Sequence, residues 1–278
     1  MSNFCAAGVA VVLLAGACAP SMAAEAQQAA PSASASAKPG PGPSPARLPD
    51  GKPNWTGFWV PPGGLLEVYR GPSGLEGAPA GTNAVFGRDP SMPAMKSPYK
   101  EKYEATLEAL KQGPLPDKVV LCYPVGMPGM MSMIYGMEIL QTPNEIAITS
   151  EWMAETRRIW MDLKEHPPFE ELDPTYDGHS IGHWEGDVLV VDTVGLRPDV
   201  PFRHQIPYPH GERTQVVERF HQTRPDTLVD EMSIIDPDVF EAPWKKTYTY
   251  HYQPTLRIRE YVCLDNNRNI DDEGRQKF

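Results

Sequence analysis

The sequence predicts an all-β fold: an antiparallel up-and-down meander of about eight to ten strands, closed into a barrel, with one short helix. Three observations predict it. Proline is abundant, 31 of 278 residues, which disfavours long helices and marks loops and strand edges. Short runs rich in β-branched and aromatic residues recur between turn residues, the pattern of strands. Most gaps between these runs are too short for the crossover that parallel pairing requires, so neighbours are antiparallel. A meander of that length removes its exposed edges by closing on itself.

The elements follow in order. Residues 1–23 read as a signal peptide, with the apolar run "AAGVAVVLLAGA" at 6–17 too short for a stable membrane helix. Ser21-Met22-Ala23 offers small residues for cleavage. An alternative processing route follows "LAGAC", which resembles a bacterial lipoprotein signal and puts an outer-membrane lipid anchor on Cys18. Residues 24–47 are an Ala/Ser/Pro tether that buries too little area to fold. A single domain is expected over 48–278. Its strands are expected at 54–60, 137–142, 145–152, 156–163, in a hairpin over 178–193, and at 214–222, 227–235, 246–252 and 255–264. The helix is expected over 97–114: Ser97 caps, Pro98 opens, Gly113-Pro114 stops, and Tyr103, Leu107 and Leu110 share a face.

Composition narrows the function. The chain is 41% hydrophobic and 22% charged, with net charge −11. That is enough apolar content for one sizeable core, and the acidic surface repels phosphate backbones, so no nucleic-acid partner is expected. Removal of the leader takes Cys5 and Cys18, leaving Cys122 and Cys263. In an oxidising periplasmic or secreted setting these two pair as a disulfide; the alternative is two separate buried thiols. No Gly-x-Gly-x-x-Gly or Gly-x-Ser-x-Gly pattern occurs, so neither a nucleotide cofactor nor a serine elbow is expected. No cofactor of any kind is expected.

The stretch "GHSIGHWEGDVLVVDT" carries the most chemistry. A turn at Glu185-Gly186 sets His179 opposite Asp192 and puts His179, Ile181, His183, Val188, Val190 and Asp192 on one face. If that face is inward, Asp192 orients the His179 imidazole and raises its basicity, as a general base requires. If it is outward, they are surface residues. Both faces are apolar enough for a wall packed on two sides, such as a barrel strand under a covering loop. His-x-x-x-His is metal-ligand spacing on a helix, but on a strand the two rings stand about 13 Å apart, so no metal site is expected.

Other polar groups are set to converge. A four-residue loop at 223–226 places Glu218 opposite Glu231, and two inward carboxylates there would share a proton, bind a cation or recruit an arginine. His210 sits in the Pro-rich segment "RHQIPYPHGER" beside His204, a loop suited to a barrel mouth. Met127, Met130, Met131, Met133 and Met137 read as an adaptable apolar lining, with copper binding as the alternative. Tyr248, Tyr250 and Tyr252 share a strand face, and with Trp160 and Trp152 they would line an aromatic-accepting cavity.

From Cys122 to Arg268 the chain resembles a broad family of exported bacterial proteins of mostly unassigned activity. The resemblance rests on Cys122-x-Pro124-x-Gly126-Met127-Pro128, "EILQTP", "RRIWMD", "GHSIGHWEGDVLVVDT", "VVERF" and "EYVCLDNNR". It points to His210, Asp192 and Glu218, supplies no reaction, and departs at His183, where the family carries Arg or Lys. Gly57-Phe58-Trp59 resembles the Gly-x-Trp that opens lipocalin-like (calycin) barrels. The function expected is therefore an exported small-molecule enzyme working by acid–base chemistry (lyase, isomerase or hydratase) on an apolar or aromatic compound. His179 or His210 would move the proton, Asp192 would orient the imidazole, Glu218 with Glu231 would be the complementary acid, and Trp160, Met131, Tyr248, Tyr250 and Tyr252 would hold the substrate. The rivals are a non-catalytic lipocalin-like binding protein and a metal-dependent hydrolase.

Overall fold

The computed structural model describes residues 47–62, 91–112, 121–200 and 208–265. The expected signal peptide, Cys18, the tether up to residue 46, and His204 lie outside the described residues. Nine strands form one closed barrel in sequence order: β1 (Gly57–Val60), β2 (Met137–Gln141), β3 (Glu145–Ser150), β4 (Thr156–Trp160), β5 (His179–Glu185), β6 (Val188–Val194), β7 (Gln215–Arg224), β8 (Thr227–Ile235) and β9 (Trp244–Tyr252). The meander and its closure are as expected, with one departure. β4 and β5 pair in parallel, through Ile159↔Ser180 and Trp160↔Ile181. Every other neighbouring pair is antiparallel. The connection 161–178 is long enough to carry the chain back to the starting end of β4, so parallel pairing is sterically open there.

Strand alternation decides what faces the lumen. Ile139, Ile148, Arg157, Ile159, Leu189, Val191, Val216, Glu218, Phe220, Leu228, Asp230 and Met232 are all buried, and they recur at every second position. Each large apolar side chain buried there contributes about 1.5–3 kcal/mol. Trp59 is 0% exposed; its indole Nε1–H donates to the Trp55 carbonyl at 2.8 Å. Trp55 packs on Trp184 and Phe220, with centroids 5.0 and 6.4 Å away. Gly57 has φ +138°, and a Cβ there would stand 2.6 Å from the Tyr252 ring, so the tyrosine lies flat on the backbone only because no side chain intervenes.

α1 spans Tyr99–Leu110. Pro98 holds the cap position with no side-chain cap bond; Ser97 instead donates its hydroxyl to Glu101 at 2.6 Å. Tyr103 on α1 stacks on Tyr208 at 5.4 Å, and Tyr208 meets Trp244 at 5.0 Å. Met127, Met130, Met131 and Met137 belong to this core. The expected last strand, 255–264, does not form. β9 already closes on β1 through Trp59↔Tyr252 and Val60↔His251, which leaves no free edge for a tenth strand. That segment instead docks outside: Tyr261 packs on Trp152 at 4.9 Å, and Cys263 forms a disulfide with Cys122.

Two registers differ from expectation. In the β5–β6 hairpin Glu185 pairs with Val188, so Gly186-Asp187 makes the turn and His179 faces Val194, while Asp192 faces Ile181. In β7–β8 the turn is Pro225-Asp226, with a register shift between Gln222 and Arg224, and Glu218 faces Met232. Arg219 lies opposite Glu231, so Glu231 is exposed on the outer wall and Asp230 takes the inward position.

Candidate functional site

Polar side chains gather in three places, each fixed by strand alternation or by the loop 161–178. The first is the lumen. Arg157 on β4 is 0% exposed, and its guanidinium makes four hydrogen bonds. Nη1 donates to Glu218 Oε1 at 2.9 Å, Nη2 donates to Glu218 Oε2 and to Thr193 Oγ1, and Nε donates to Ser180 Oγ at 3.2 Å. A two-point charge pair with further hydrogen bonds is the arrangement that offsets the loss of hydration on burial. Glu218 is thus bound up in the wall, and the arginine expected as one of three partners is the one present.

Asp230 on β8 is different. It is 0% exposed, and neither carboxyl oxygen meets a hydrogen-bond donor among the described residues. Burial, and then the charge of Glu218, push its pKa far above the usual carboxylate range. Tyr248 lies directly across from it, and Tyr250 is the next residue on the same face. The Tyr250 hydroxyl donates to the Met131 carbonyl at 2.6 Å, and burial pushes its pKa well up. So Met131 meets Tyr250 through its backbone, while its side chain is core.

The second group joins Glu155 and Asp177. Glu155 accepts backbone N–H bonds from Gly126 at 2.6 Å and Val125 at 3.2 Å. Burial, followed by the charge of Asp177, pushes its pKa up to about 8. Asp177 is raised by burial too. Two adjacent carboxyls away from water hold a proton between them at neutral pH.

The third group is on the outer wall. The histidine face of the hairpin is outward: its alternates Ser180, Thr193, Leu189 and Val191 are the most deeply buried, and on the histidine face only Val190 is buried as well. His179 and Asp192 are nonetheless linked, by a residue the sequence did not flag. His166, from the loop 161–178, places its Nδ1 2.8 Å from His179 Nδ1 and its Nε2 3.7 Å from Asp192 Oδ2. Gln215 Nε2 donates to both Asp192 oxygens, at 2.9 and 2.8 Å. His166 Nε2 makes no hydrogen bond among the described residues, but the carboxylate 3.7 Å away favours a proton there, which makes His166 Nδ1 the acceptor. His179 Nδ1 must then carry the donated hydrogen, and His179 Nε2 keeps its lone pair. Burial lowers the pKa of both rings, which keeps that lone pair free at neutral pH.

The remaining expected positions fall elsewhere. His210 is 5% exposed; its Nε2–H donates to the Val200 carbonyl at 2.6 Å, and burial lowers its pKa. It ties together two parts of the single connection between β6 and β7, 195–214, with its ring withdrawn from solvent. Trp160 sits on the outer wall, since its neighbours Ile159 and Arg157 are the buried alternates, and Trp152 stacks outside with Tyr135 and Tyr261. Neither lines the lumen. Tyr248, Tyr250 and Tyr252 do, with Tyr252 packed on Trp59 at 5.2 Å. No protein-family model matches the sequence, and no curated protein matches it.

His166 was missed because a lone histidine in the loop "KEHPPFEE" has no periodicity to place it. Asp230 was legible in principle: Leu228 and Met232 flank it at two-residue spacing, the same signal that marked Glu218 between Val216 and Phe220.

Proposed function

We propose that this protein is an exported enzyme that moves protons on a small, largely apolar or aromatic molecule, as an isomerase, lyase or hydratase, with His179 as the base. The observation that carries the reading is the Asp192–His166–His179 chain, 3.7 Å and 2.8 Å at its two links. A carboxylate behind an imidazole fixes its tautomer and stabilises the cation that forms when the terminal ring takes a proton. Here the chain is one ring longer: His179 Nε2 accepts the proton, and the positive charge spreads through His166 toward Asp192. The same loop exposes Leu163 and Phe169, 43% and 48% accessible, an apolar surface suited to such a substrate. His179 then returns the proton at another carbon in an isomerisation, or holds it while a leaving group departs. The Cys122–Cys263 disulfide is compatible with an extracellular or periplasmic setting, and we assign the protein to it.

The test is solvent-hydrogen exchange. Purified protein is incubated in D2O with a panel of small aromatic and unsaturated carbonyl compounds, and deuterium uptake is read by mass spectrometry. The wild type is expected to label at least one compound, and His179→Gln to lose that activity by about 10²–10⁴-fold. His166→Ala leaves the base in place without its partner, so its pH–rate profile shifts as well as its rate. Absence of labelling above buffer, or full activity in His179→Gln, rejects the reading in favour of a non-catalytic carrier.

A further inference from the structure

We propose that the barrel interior is a second site, which binds a small organic cation, a protonated amine on an apolar or aromatic body, with Asp230 as its counter-ion. The argument starts from an unsatisfied buried group. A buried carboxyl without a hydrogen bond costs several kcal/mol, so native interiors almost always satisfy it. Asp230 is 0% exposed and both its oxygens lack a donor among the described residues. Arg157 does not serve it: four of its five N–H groups go to Glu218, Thr193 and Ser180, and it makes no hydrogen bond to either Asp230 oxygen. Tyr250 does not serve it either, since its hydroxyl goes to the Met131 carbonyl. The missing partner is a donor that comes from outside the chain.

The surroundings choose the sign of that partner. Glu218, Asp230 and Asp177 all lie within electrostatic reach of the Arg157 guanidinium. Arg157 is already paired with Glu218, so among the described residues no cation there is left to hold an anion. The wall beside Asp230 is aromatic, with Tyr248 and Tyr250 on the facing strand and Tyr252 beyond, and ring faces attract cations. Two free carboxyl oxygens match the N–H donors of an ammonium. Tyr248 points to the same face as Asp230 yet is only half-buried, so solvent reaches the wall next to the carboxyl.

Binding is linked to pH. The empty Asp230 is held neutral by burial and by Glu218 from β7, against Arg157 from β4. Tyr248 and Tyr250 face it from β9, Lys246 stands further along that strand with its ammonium over Trp244, and Glu231 points outward. An arriving ammonium stabilises the carboxylate, so the Asp230 O–H bond breaks and its proton leaves to solvent. Affinity therefore rises with pH, and binding the amine releases protons.

Calorimetry on the full chain tests this with 2-phenylethylammonium, the neutral isostere 2-phenylethanol, phenylacetate and calcium. The amine is expected to bind at least about tenfold more tightly than the alcohol, the increment of a charge-assisted hydrogen bond, and more tightly than phenylacetate. Runs in buffers of different ionisation enthalpy should show net proton release. Asp230→Asn should abolish the preference of amine over alcohol, and Tyr248→Leu should weaken amine binding if the asparagine variant fails to fold. Equal affinity for amine and alcohol, no proton release, or saturation by calcium at lower concentration than the amine overturns the proposal. His179→Gln lies on the other side of the wall and should bind the amine as the wild type does, so this site and the outer relay fail independently.

Discussion

At the residue scale the molecule is governed by where it keeps protons. Burial raises Glu155, Asp177 and Asp230 and lowers His166, His179 and His210. Both sets favour neutral side chains, and they act on stability with opposite signs. A lowered histidine contributes fully above its ordinary pKa of 6.5, and that contribution is lost as pH falls. A raised acid contributes fully below its ordinary value, and that contribution is lost as pH rises. For Glu155 the loss runs from 4.5 to about 8. Between pH 6.5 and 8.5 the histidine contributions are complete, so the acids alone set the slope. The melting temperature should therefore fall over this interval, by more than about 3 °C if the loss exceeds 1 kcal/mol. Glu155→Gln carries no charge but keeps an acceptor for only one of the Gly126 and Val125 amides, so it should lower stability throughout and flatten much of that fall. A wild-type melting temperature that holds or rises from pH 6.5 to 8.5 would refute the assignment.

At the element scale, strand boundaries were legible because alternation and turn residues are local. Register was not, because it depends on which residues a turn consumes. Reading Glu185-Gly186 as the turn shifted the hairpin by two residues, which keeps every side chain on its face but changes its opposite number. Hence His179 and Asp192 shared a face as expected, yet do not pair directly; the loop histidine between them was invisible to a rule about strands. In β7–β8 an assumed four-residue loop put Glu231 opposite Glu218, whereas the register shift near Arg224 makes Asp230 the inward acid. The actual β5–β6 turn places Gly186 at φ +63°, and a Cβ added there would meet nothing within 4 Å. Gly186→Ala should thus cost about 1–2 kcal/mol from backbone strain alone, and Gly186→Asn less, since asparagine tolerates that region. Denaturant unfolding of the two variants measures this directly; equal stability of Ala and wild type would show that the turn does not need its positive φ.

At the scale of the whole molecule, closure depends on two thin seams. β1 meets β9 through two residue pairs, and the parallel β4–β5 contact also has two, whereas β7 and β8 are paired along nearly their full length. The disulfide reinforces the first seam from outside. Cys263 follows β9 and Cys122 precedes β2, the strand that pairs with β1, so the bridge holds the chain that leaves β9 near the far side of the β1 closure. Tyr261, stacked on Trp152, seats the same segment. The bridge spans a sequence separation of 141, so in the chain-entropy account it removes about 5 kcal/mol of freedom from the unfolded state. That is a large share of a domain's total stability of about 5–15 kcal/mol. Cys122→Ser with Cys263→Ser should therefore lower the urea midpoint strongly and raise the m-value, because the unfolded chain expands once the cross-link is gone. Amide exchange should accelerate first at Trp59 and Val60, on the β1 side of the seam, while the β7–β8 amides keep their protection relative to the global rate. If the double variant loses less than about 1 kcal/mol, or if exchange rises evenly around the barrel, the tail is an ornament on a sheet that closes without it.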